Sequence, residues 1–114
     1  MSLLSTHVLD TANGTPARGI AVTLAISRGS GDWDELAHGV TDRDGRIAEF
    51  SPALGALEAR VYRLRFATGD YFEGLGIRAF FPQVDVVFQI DDPGQRYHVP
   101  LLLSPFGYST YRGS

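Results

Sequence analysis

Three histidines and one arginine are the side chains in this sequence best suited to chemistry near neutral pH. His7 lies in "STHVLD", His38 in "ELAHGV" and His98 in "HVPLLL", and the ordinary pKa of imidazole falls within this range. Taken singly, each histidine fits a hydrogen-bonded structural role better than a catalytic one. The spacing of the histidines matches no zinc motif, so a metal site would have to be assembled from distant strands.

Arg46 differs from the other charged residues of "TDRDGR". Asp42, Arg43 and Asp44 are expected in an exposed hairpin turn, whereas Arg46 follows Gly45 where the chain re-enters a strand. A guanidinium held there can bind a planar, oxygen-rich ligand through its fork of donors. The sequence contains no G-x-S-x-G elbow, no Gly-rich phosphate loop and no paired-carboxylate signature, so serine hydrolase, kinase and nucleotide-binding functions have no support.

Alternation of apolar and polar residues predicts the elements that position these side chains. "AVTLAIS", "VYRLRF" and "VDVVFQI" have the period of two that is typical of half-buried strands. Asn13-Gly14, Asp44-Gly45 and Pro93-Gly94 supply turns between such segments. We therefore expect an all-β sandwich or barrel of about eight strands.

One segment departs from this pattern. In "TGDYFEGLGI", Tyr71, Phe72 and Leu75 would share one face of a helix, and Asp70 with Glu73 has the spacing of a capping box. The segment predicts a short helix between the strand ending near Thr68 and the strand beginning near Val84.

Length and composition narrow the classes further. The 114 residues fit a single domain spanning 1–114, and the absence of cysteine excludes disulfides and thiolate chemistry. A formal net charge of -3 argues against nucleic-acid binding. The sequence shows neither a signal peptide nor an apolar run of the ~20 residues that span a bilayer. We expect a cytoplasmic protein with no nucleic-acid or membrane partner.

Two blocks of sequence carry a resemblance to a known family. "LSTHVLDTANGTPARGIAVTL" near the start and "YHVPLLLSPFGYSTYRGS" at the end resemble the signature blocks of the 5-hydroxyisourate hydrolases, the transthyretin-related enzymes of urate breakdown. "TDRDGR" and "TGDYFEGLGIRAFFPQVDVVFQI" also follow the family pattern, so the resemblance covers essentially the whole chain. One departure is Phe106, where the family often has tyrosine.

The resemblance implies a particular architecture. The fold would be a transthyretin-like β-sandwich of two four-stranded sheets, with one short helix after the fifth strand. The assembly would be a homotetramer in which two subunits join edge to edge and two such dimers pack face to face around a channel. The C-terminal "YRGS" strand would line an active site at the dimer–dimer interface, which would explain why a strand-like segment stands at the end of the sequence.

The resemblance also implies the site residues and the substrate. The catalytic positions carried over are His7, Arg46, His98 and Ser114, and the substrate-binding positions are Tyr111, Arg112 and Gly113. His38 has no counterpart and is expected to be structural. The implied substrate is 5-hydroxyisourate, and the reaction requires neither a metal nor an organic cofactor.

The implied reaction is hydrolysis of a cyclic amide. Water attacks the C6 carbonyl, the N1–C6 bond opens, and the product is 2-oxo-4-hydroxy-4-carboxy-5-ureidoimidazoline. One histidine would take the proton of water, with His7 preferred, while the other orients the water or protonates the leaving nitrogen. Arg46 would stabilise the carbonyl oxygen, and Ser114 would orient water or substrate.

Two non-catalytic functions remain as alternatives. The chain could be a transthyretin-like protein that binds a small molecule, since fold alone does not settle function, or a sandwich domain that mediates interactions. The histidine pair, Arg46 and the "YRGS" end favour the enzyme, because a carrier of apolar ligands would be weakened by burying such polar groups.

Overall fold

The computed structural model describes residues 4–48, 50 and 57–113, which form nine strands and one helix. The first sheet contains β1 (Leu4–Asp10), β2 (Thr15–Pro16), β5 (Arg46–Ile47), β8 (Tyr97–Ser104) and β9 (Gly107–Thr110). The second sheet contains β3 (Ala21–Ser27), β4 (Trp33–Val40), β6 (Val61–Phe66) and β7 (Val84–Gln89). The helix, α1, spans Thr68–Gly74. The predicted all-β class with one short helix is confirmed.

The two sheets differ in strand number. The second sheet has the order β4-β3-β6-β7 and is antiparallel throughout, whereas the first has the order β2-β1-β8-β9 with β5 also paired to β1. β5 pairs with Thr6 and His7, and β2 pairs with Leu9 and Asp10, so the two short strands share one edge of β1. For this reason the first sheet has five strands rather than four, and α1 follows the sixth strand rather than the fifth.

A long parallel pairing joins the two ends of the chain. Every residue of β1 is in register with β8, from Leu4 opposite Tyr97 to Asp10 opposite Leu103. The Thr6 hydroxyl, buried in the same seam, donates to the carbonyl oxygen of Val99 at 2.6 Å. The strands that carry His7 and His98 are therefore fixed side by side.

The core lies between the inner faces of the two sheets, as the alternation predicts. In β1 the residues Leu4, Thr6, Val8 and Asp10 are buried while the residues between them are half-buried. The first three residues of β8 alternate in the same way: Tyr97 and Val99 are buried, and His98 between them is half-buried. Inward residues of the second sheet include Val22, Leu24, Tyr62, Leu64, Phe66, Val84 and Val86. Because the residues that alternate with these buried ones point the other way, Ser5, His7 and His98 lie on the outer face of the first sheet.

The predicted capping box of α1 is wrong. The helix begins at Thr68, so Ala67 is its N-cap and makes no side-chain cap, and Asp70 falls within the first turn instead of before it. A carboxylate there can still interact favourably with the helix dipole. Phe72 is buried as expected, whereas Leu75 at the helix end is 50% exposed.

A buried carboxylate fastens α1 to the end of β1. Asp10 is fully buried, and its carboxylate accepts hydrogen bonds from the hydroxyl of Tyr71 at 2.8 Å and the amide of Asn13 at 3.1 Å. The backbone N–H groups of Ala12 and Asn13 donate to the same carboxylate. Burial, followed by the hydrogen bond to Asp10, raises the pKa of Tyr71 to about 12. The phenol therefore stays protonated and remains a donor at physiological pH.

Substitution of Gly45 should destabilise the fold more than substitution of another glycine with a similar backbone. Gly45 has φ +75°, and an added Cβ would lie 2.4 Å from the Val8 carbonyl oxygen, whereas Gly14 has φ +69° and no atom within 4 Å of that position. We expect Gly14→Ala to lower the free energy of unfolding by about 1 kcal/mol and Gly45→Ala by about 3 kcal/mol. Urea unfolding at one fixed protein concentration measures both, and equal losses would contradict the close approach of the turn to β1.

Candidate active site

His7, Arg46 and His98 lie together on the outer face of the first sheet. His7 and Arg46 are directly opposite each other in the β1–β5 pairing. His98 is opposite Ser5 in the β1–β8 pairing, two residues along β1 from His7. Neighbours on one face of a sheet are about 5 Å apart directly across and about 8 Å apart on the diagonal. Three adjacent strands thus carry the three side chains on one face, with His7 on the central strand.

Arg46 is placed by the tight turn that precedes it. One carboxylate oxygen of Asp42 accepts the backbone N–H of Asp44 at 2.9 Å and that of Arg46 at 3.0 Å. The Gly45 N–H donates to the Asp42 carbonyl, and the Gly45 carbonyl accepts the Val8 N–H at 2.7 Å. These contacts close the turn and attach it to β1. Asp42 is an exposed residue of the turn, as predicted. Its carboxylate also organises the turn, which the sequence analysis did not predict.

The Asp42 carboxyl is held ionised by the turn that it organises. Its pKa is lowered, first by the hydrogen bond from the Arg46 backbone and further by the one from Asp44 and by the positive charges of Arg46 and His7. A carboxylate that accepts backbone N–H groups is a stronger acceptor than the neutral acid. The turn therefore keeps its shape over the pH range in which histidines titrate.

The His98 ring is held on two sides. Its Nδ1 lies 2.8 Å from the hydroxyl oxygen of Ser5. On another side the chain passes close to the ring, because the Gly113 N–H donates to the His98 carbonyl at 2.8 Å. A Cβ at position 113 would lie 2.5 Å from Cδ2 of the ring and 3.2 Å from Cγ of Pro100. Glycine is therefore required at 113 for this packing.

The pKa of His98 is lowered from its ordinary value. Burial of the half-buried ring is the largest cause, and the positive charges of His7 and Arg46 act in the same direction. Hydrogen bonding to the backbone of Ser5 opposes them. Each of the first three effects disfavours the charged imidazolium. His98 is therefore neutral at pH 7 and has a free lone pair.

The C-terminal segment follows the predicted strand only in part. β9 ends at Thr110, Tyr111 and Arg112 leave the regular pairing, and Gly113 rejoins β8 through an isolated bridge to His98. Tyr111 is 57% exposed. Ser114, predicted to be catalytic, lies outside the described residues.

Arg112 packs against Tyr97. Its guanidinium lies 4.5 Å from the centre of the Tyr97 ring and donates to the side chain of Gln95 at 3.0 Å. Together with Tyr111 and His98 it lines a cleft of about 240 Å³ that extends to β7. Of the three predicted substrate-binding residues, Gly113 is the one whose close approach to the His98 ring is seen, since a Cβ there would meet Cδ2 of the ring.

His38 lies in the other sheet, on β4, where it is exposed and 3.9 Å from Glu35. The ring is therefore on the sheet opposite His7 and His98. No group of three or more His, Cys, Asp or Glu side chains within the described residues is arranged to hold a metal ion.

Two residues that shape the site, Ser5 and Asp42, were missed as site residues in the sequence reasoning. Ser5 could have been found, because it is two residues before His7 in "STHVLD" and a strand places such residues on one face. Its contact with His98 could not, because that depends on the register of β1 against β8. Asp42 carries a weaker signal, since aspartate at the start of a turn commonly caps following N–H groups.

The arrangement combines a neutral imidazole with fixed positive charge. A lone pair on His98 can accept a proton from water, while the Arg46 guanidinium can stabilise negative charge that develops on a carbonyl oxygen. Both groups face outward, so a ligand can reach them without opening the core. The geometry suits general-base attack of water on an oxygen-rich planar amide.

No helix in the described part of the chain has the length and apolar character needed to cross a membrane.

The profile of the HIUase/Transthyretin family matches residues 4–113. A 5-hydroxyisourate hydrolase of Salmonella dublin is 47% identical over 113 residues, covering 99% of this chain and 82% of that protein.

Solved structures agree with the sequence comparison. The Klebsiella pneumoniae 5-hydroxyisourate hydrolase superposes with a TM-score of 0.85 at 42% identity, covering 97% of this chain and 98% of the other. Sea bream transthyretin in complex with thyroxine superposes with a TM-score of 0.87 at 34% identity, covering 97% and 94%. The profile match over nearly the whole chain, together with these full-length relatives, shows that the chain belongs to the HIUase/Transthyretin family.

Proposed function

We propose that this protein hydrolyses 5-hydroxyisourate, opening the N1–C6 bond to give 2-oxo-4-hydroxy-4-carboxy-5-ureidoimidazoline in urate breakdown. The observation that carries the proposal is the meeting of His7, Arg46 and His98 on one outer sheet face. Relatives named 5-hydroxyisourate hydrolase align over nearly the full chain. The proposed site needs no metal or organic cofactor.

His98 is the group we assign as general base. Burial and the charges of His7 and Arg46 lower its pKa, so its lone pair remains available at neutral pH. This differs from the preference for His7 in the sequence reasoning. In the proposed step, His98 removes a proton as the water oxygen attacks C6, and the N1–C6 bond then breaks as N1 gains a proton.

Arg46 and His7 are assigned the complementary roles. Arg46 binds the C6 oxygen and stabilises the negative charge that develops there, an effect on the order of 10²–10³ in rate. His7, directly across from Arg46, orients the substrate and supplies the proton to N1. In this assignment Arg46 on β5 and His7 on β1 are the hydrogen-bond donors, and His98 on β8 is the base.

The substrate pocket is proposed to be completed in a homotetramer with sites at the dimer–dimer interface. Among the described strands, β7 and β9 are the last strands of their sheets, which suits them to pair edge to edge with another copy within each dimer. Tyr111, Arg112, Gly113 and Ser114 are proposed to bind substrate or water beside such an interface. The exposed ring of Tyr111 suits it to that role.

A non-catalytic small-molecule carrier is the alternative. Sea bream transthyretin, which binds thyroxine, shares the fold. The polar trio favours the enzyme, since an apolar ligand gains nothing from a half-buried histidine beside a guanidinium and a second imidazole.

Substitution of His98 should abolish most of the activity. We expect His98→Asn to lower kcat/KM by about 10²–10⁴ because the proton acceptor is lost, whereas His38→Asn in the opposite sheet should leave kcat/KM unchanged. Ultraviolet absorbance of 5-hydroxyisourate, made from urate with a uricase, follows the reaction against a protein-free blank. If folded wild-type protein does not accelerate decay beyond the blank, the carrier function is favoured.

Gly113→Ala should impair catalysis while the sandwich stays folded. The added Cβ would meet Cδ2 of His98 at 2.5 Å, so the ring must move from its position. We expect kcat to fall by at least about tenfold, consistent with the cost of small misplacements in active sites. Gly107→Ala is a matched control, since its Cβ would meet only the Ser104 hydroxyl oxygen at 3.7 Å. Wild-type kcat in Gly113→Ala would contradict the packing of the C-terminal segment on His98.

The pH dependence of kcat/KM should follow the lowered pKa of His98. Only the neutral ring accepts a proton, so activity falls as pH drops through this pKa, and a pKa below the ordinary 6.5 moves that fall to lower pH. We expect the acid limb of the profile below pH 6.5, with the same midpoint as the NMR titration of His98. An acid limb above pH 6.5 would argue against His98 as the base.

A further inference from the structure

Ser5 stands in direct contact with the proposed base. It lies opposite His98 in the parallel β1–β8 ladder, so both side chains are on the outer face of the first sheet. The Ser5 hydroxyl oxygen is 2.8 Å from Nδ1 of His98, which is a normal hydrogen-bond distance. The two residues are 93 positions apart in the sequence.

The contact engages one of the two ring nitrogens of His98. Within residues 4–48, 50 and 57–113, Ser5 is the hydrogen-bond partner found for the ring, and it engages Nδ1 alone. The Gly113 backbone packs against Cδ2 on another side of the ring. Among these described residues no partner is found for Nε2, and it is the nitrogen that we assign to substrate or water.

We propose that Ser5 is a positioning residue that sets the tautomer of His98: the Ser5 hydroxyl oxygen accepts a hydrogen bond from Nδ1–H, which leaves the lone pair on Nε2. In neutral imidazole one nitrogen carries the proton and the other is the acceptor, and the partner of the first decides which is which. A base needs the lone pair on the nitrogen that faces the reaction. The kinetic part of this proposal rests on the hydrolase function proposed above, whereas the tautomer itself does not.

The charges around His98 favour its neutral form. Among the described residues, the charged or titratable groups that act on the ring are His7 on β1 and Arg46 on β5, while Arg112 of the C-terminal segment is engaged by Tyr97 and Gln95. With burial, these positive charges lower the pKa of His98 and so favour the neutral ring, in which one nitrogen carries a lone pair.

Loss of the Ser5 hydroxyl should change the tautomer populations. Free imidazole side chains in water favour the Nε2–H form, so a ring released from Ser5 would place a proton where the lone pair is required. Ser5→Ala removes only the hydroxyl of a half-buried residue, whereas Ser5→Thr retains an oxygen at the same position.

NMR of protein labelled with 15N-histidine tests the tautomer directly. Two-bond correlations link the protons on Cδ2 and Cε1 to the ring nitrogens and show which nitrogen carries the proton. We expect Nδ1–H in the wild type and in Ser5→Thr, and a shift of the population toward Nε2–H in Ser5→Ala. Thr11→Val is the matched control, because Thr11 donates its hydroxyl across the same β1–β8 seam, to Leu103 at 3.1 Å, remote from His98. The control should retain the wild-type tautomer.

Kinetics provide the second measurement. We expect Ser5→Ala to lower kcat roughly three- to tenfold, the range set by one net hydrogen bond, with KM nearly unchanged because substrate contacts remain. Ser5→Thr should recover kcat, and Thr11→Val should match the wild type.

The outcomes separate this proposal from the proposed function. An Nε2–H tautomer in the wild type, or an unchanged tautomer in Ser5→Ala, would overturn the role of Ser5 whatever the activity. Wild-type protein that does not hydrolyse 5-hydroxyisourate yet shows Nδ1–H dependent on Ser5 would overturn the function and retain the positioning. If Ser5→Ala does not fold, the wild-type tautomer and the Ser5→Thr spectrum still decide.

Discussion

The parallel pairing of β1 with β8 is the interaction on which the rest of this structure depends. It joins the first described strand to a strand more than 90 residues later, in register along the whole of β1. Parallel neighbours require a long connection, and here the second sheet and the helix are all contained in it. Closing so long a loop costs conformational entropy, which burial of the inner faces of both strands offsets. The same register sets Ser5 beside His98 and places His7 diagonally from it.

Each strand of the seam serves two purposes because side chains alternate. Thr6 and Val8 face the core, while Ser5 and His7 between them face outward. A shift of one residue in register would bury the histidine and expose the apolar residues, so the site is protected by the same hydrophobic free energy that stabilises the sandwich. The site residues are therefore positioned by the strands of the sandwich itself, together with the Asp42 turn and the segment at Gly113.

Glycine has a distinct function at the two places where backbone closes on the seam. Gly45 lies against the Val8 carbonyl with positive φ, and Gly113 lies against the His98 ring. At each position a side chain would collide with an atom on β1 or β8. The family resemblance places Gly113 within a recognisable "YRGS" motif, and the packing supplies a physical reason for the glycine in it.

The sequence by itself determined the all-β class, the approximate strands, the short helix and, through the family resemblance, the residues of the candidate site. These follow from local alternation, turn residues and motifs, which are properties of neighbours along the chain. The tertiary structure alone decided that β5 and β2 share one edge of β1, that Asp70 makes no cap, that Arg112 turns to Tyr97, and that Ser5 contacts His98. It also decided the direction of the His98 pKa, because burial and the charges of His7 and Arg46 reach the ring only across strands. Strand register and the distances between remote residues depend on how whole sheets pack, and no local pattern contains that information.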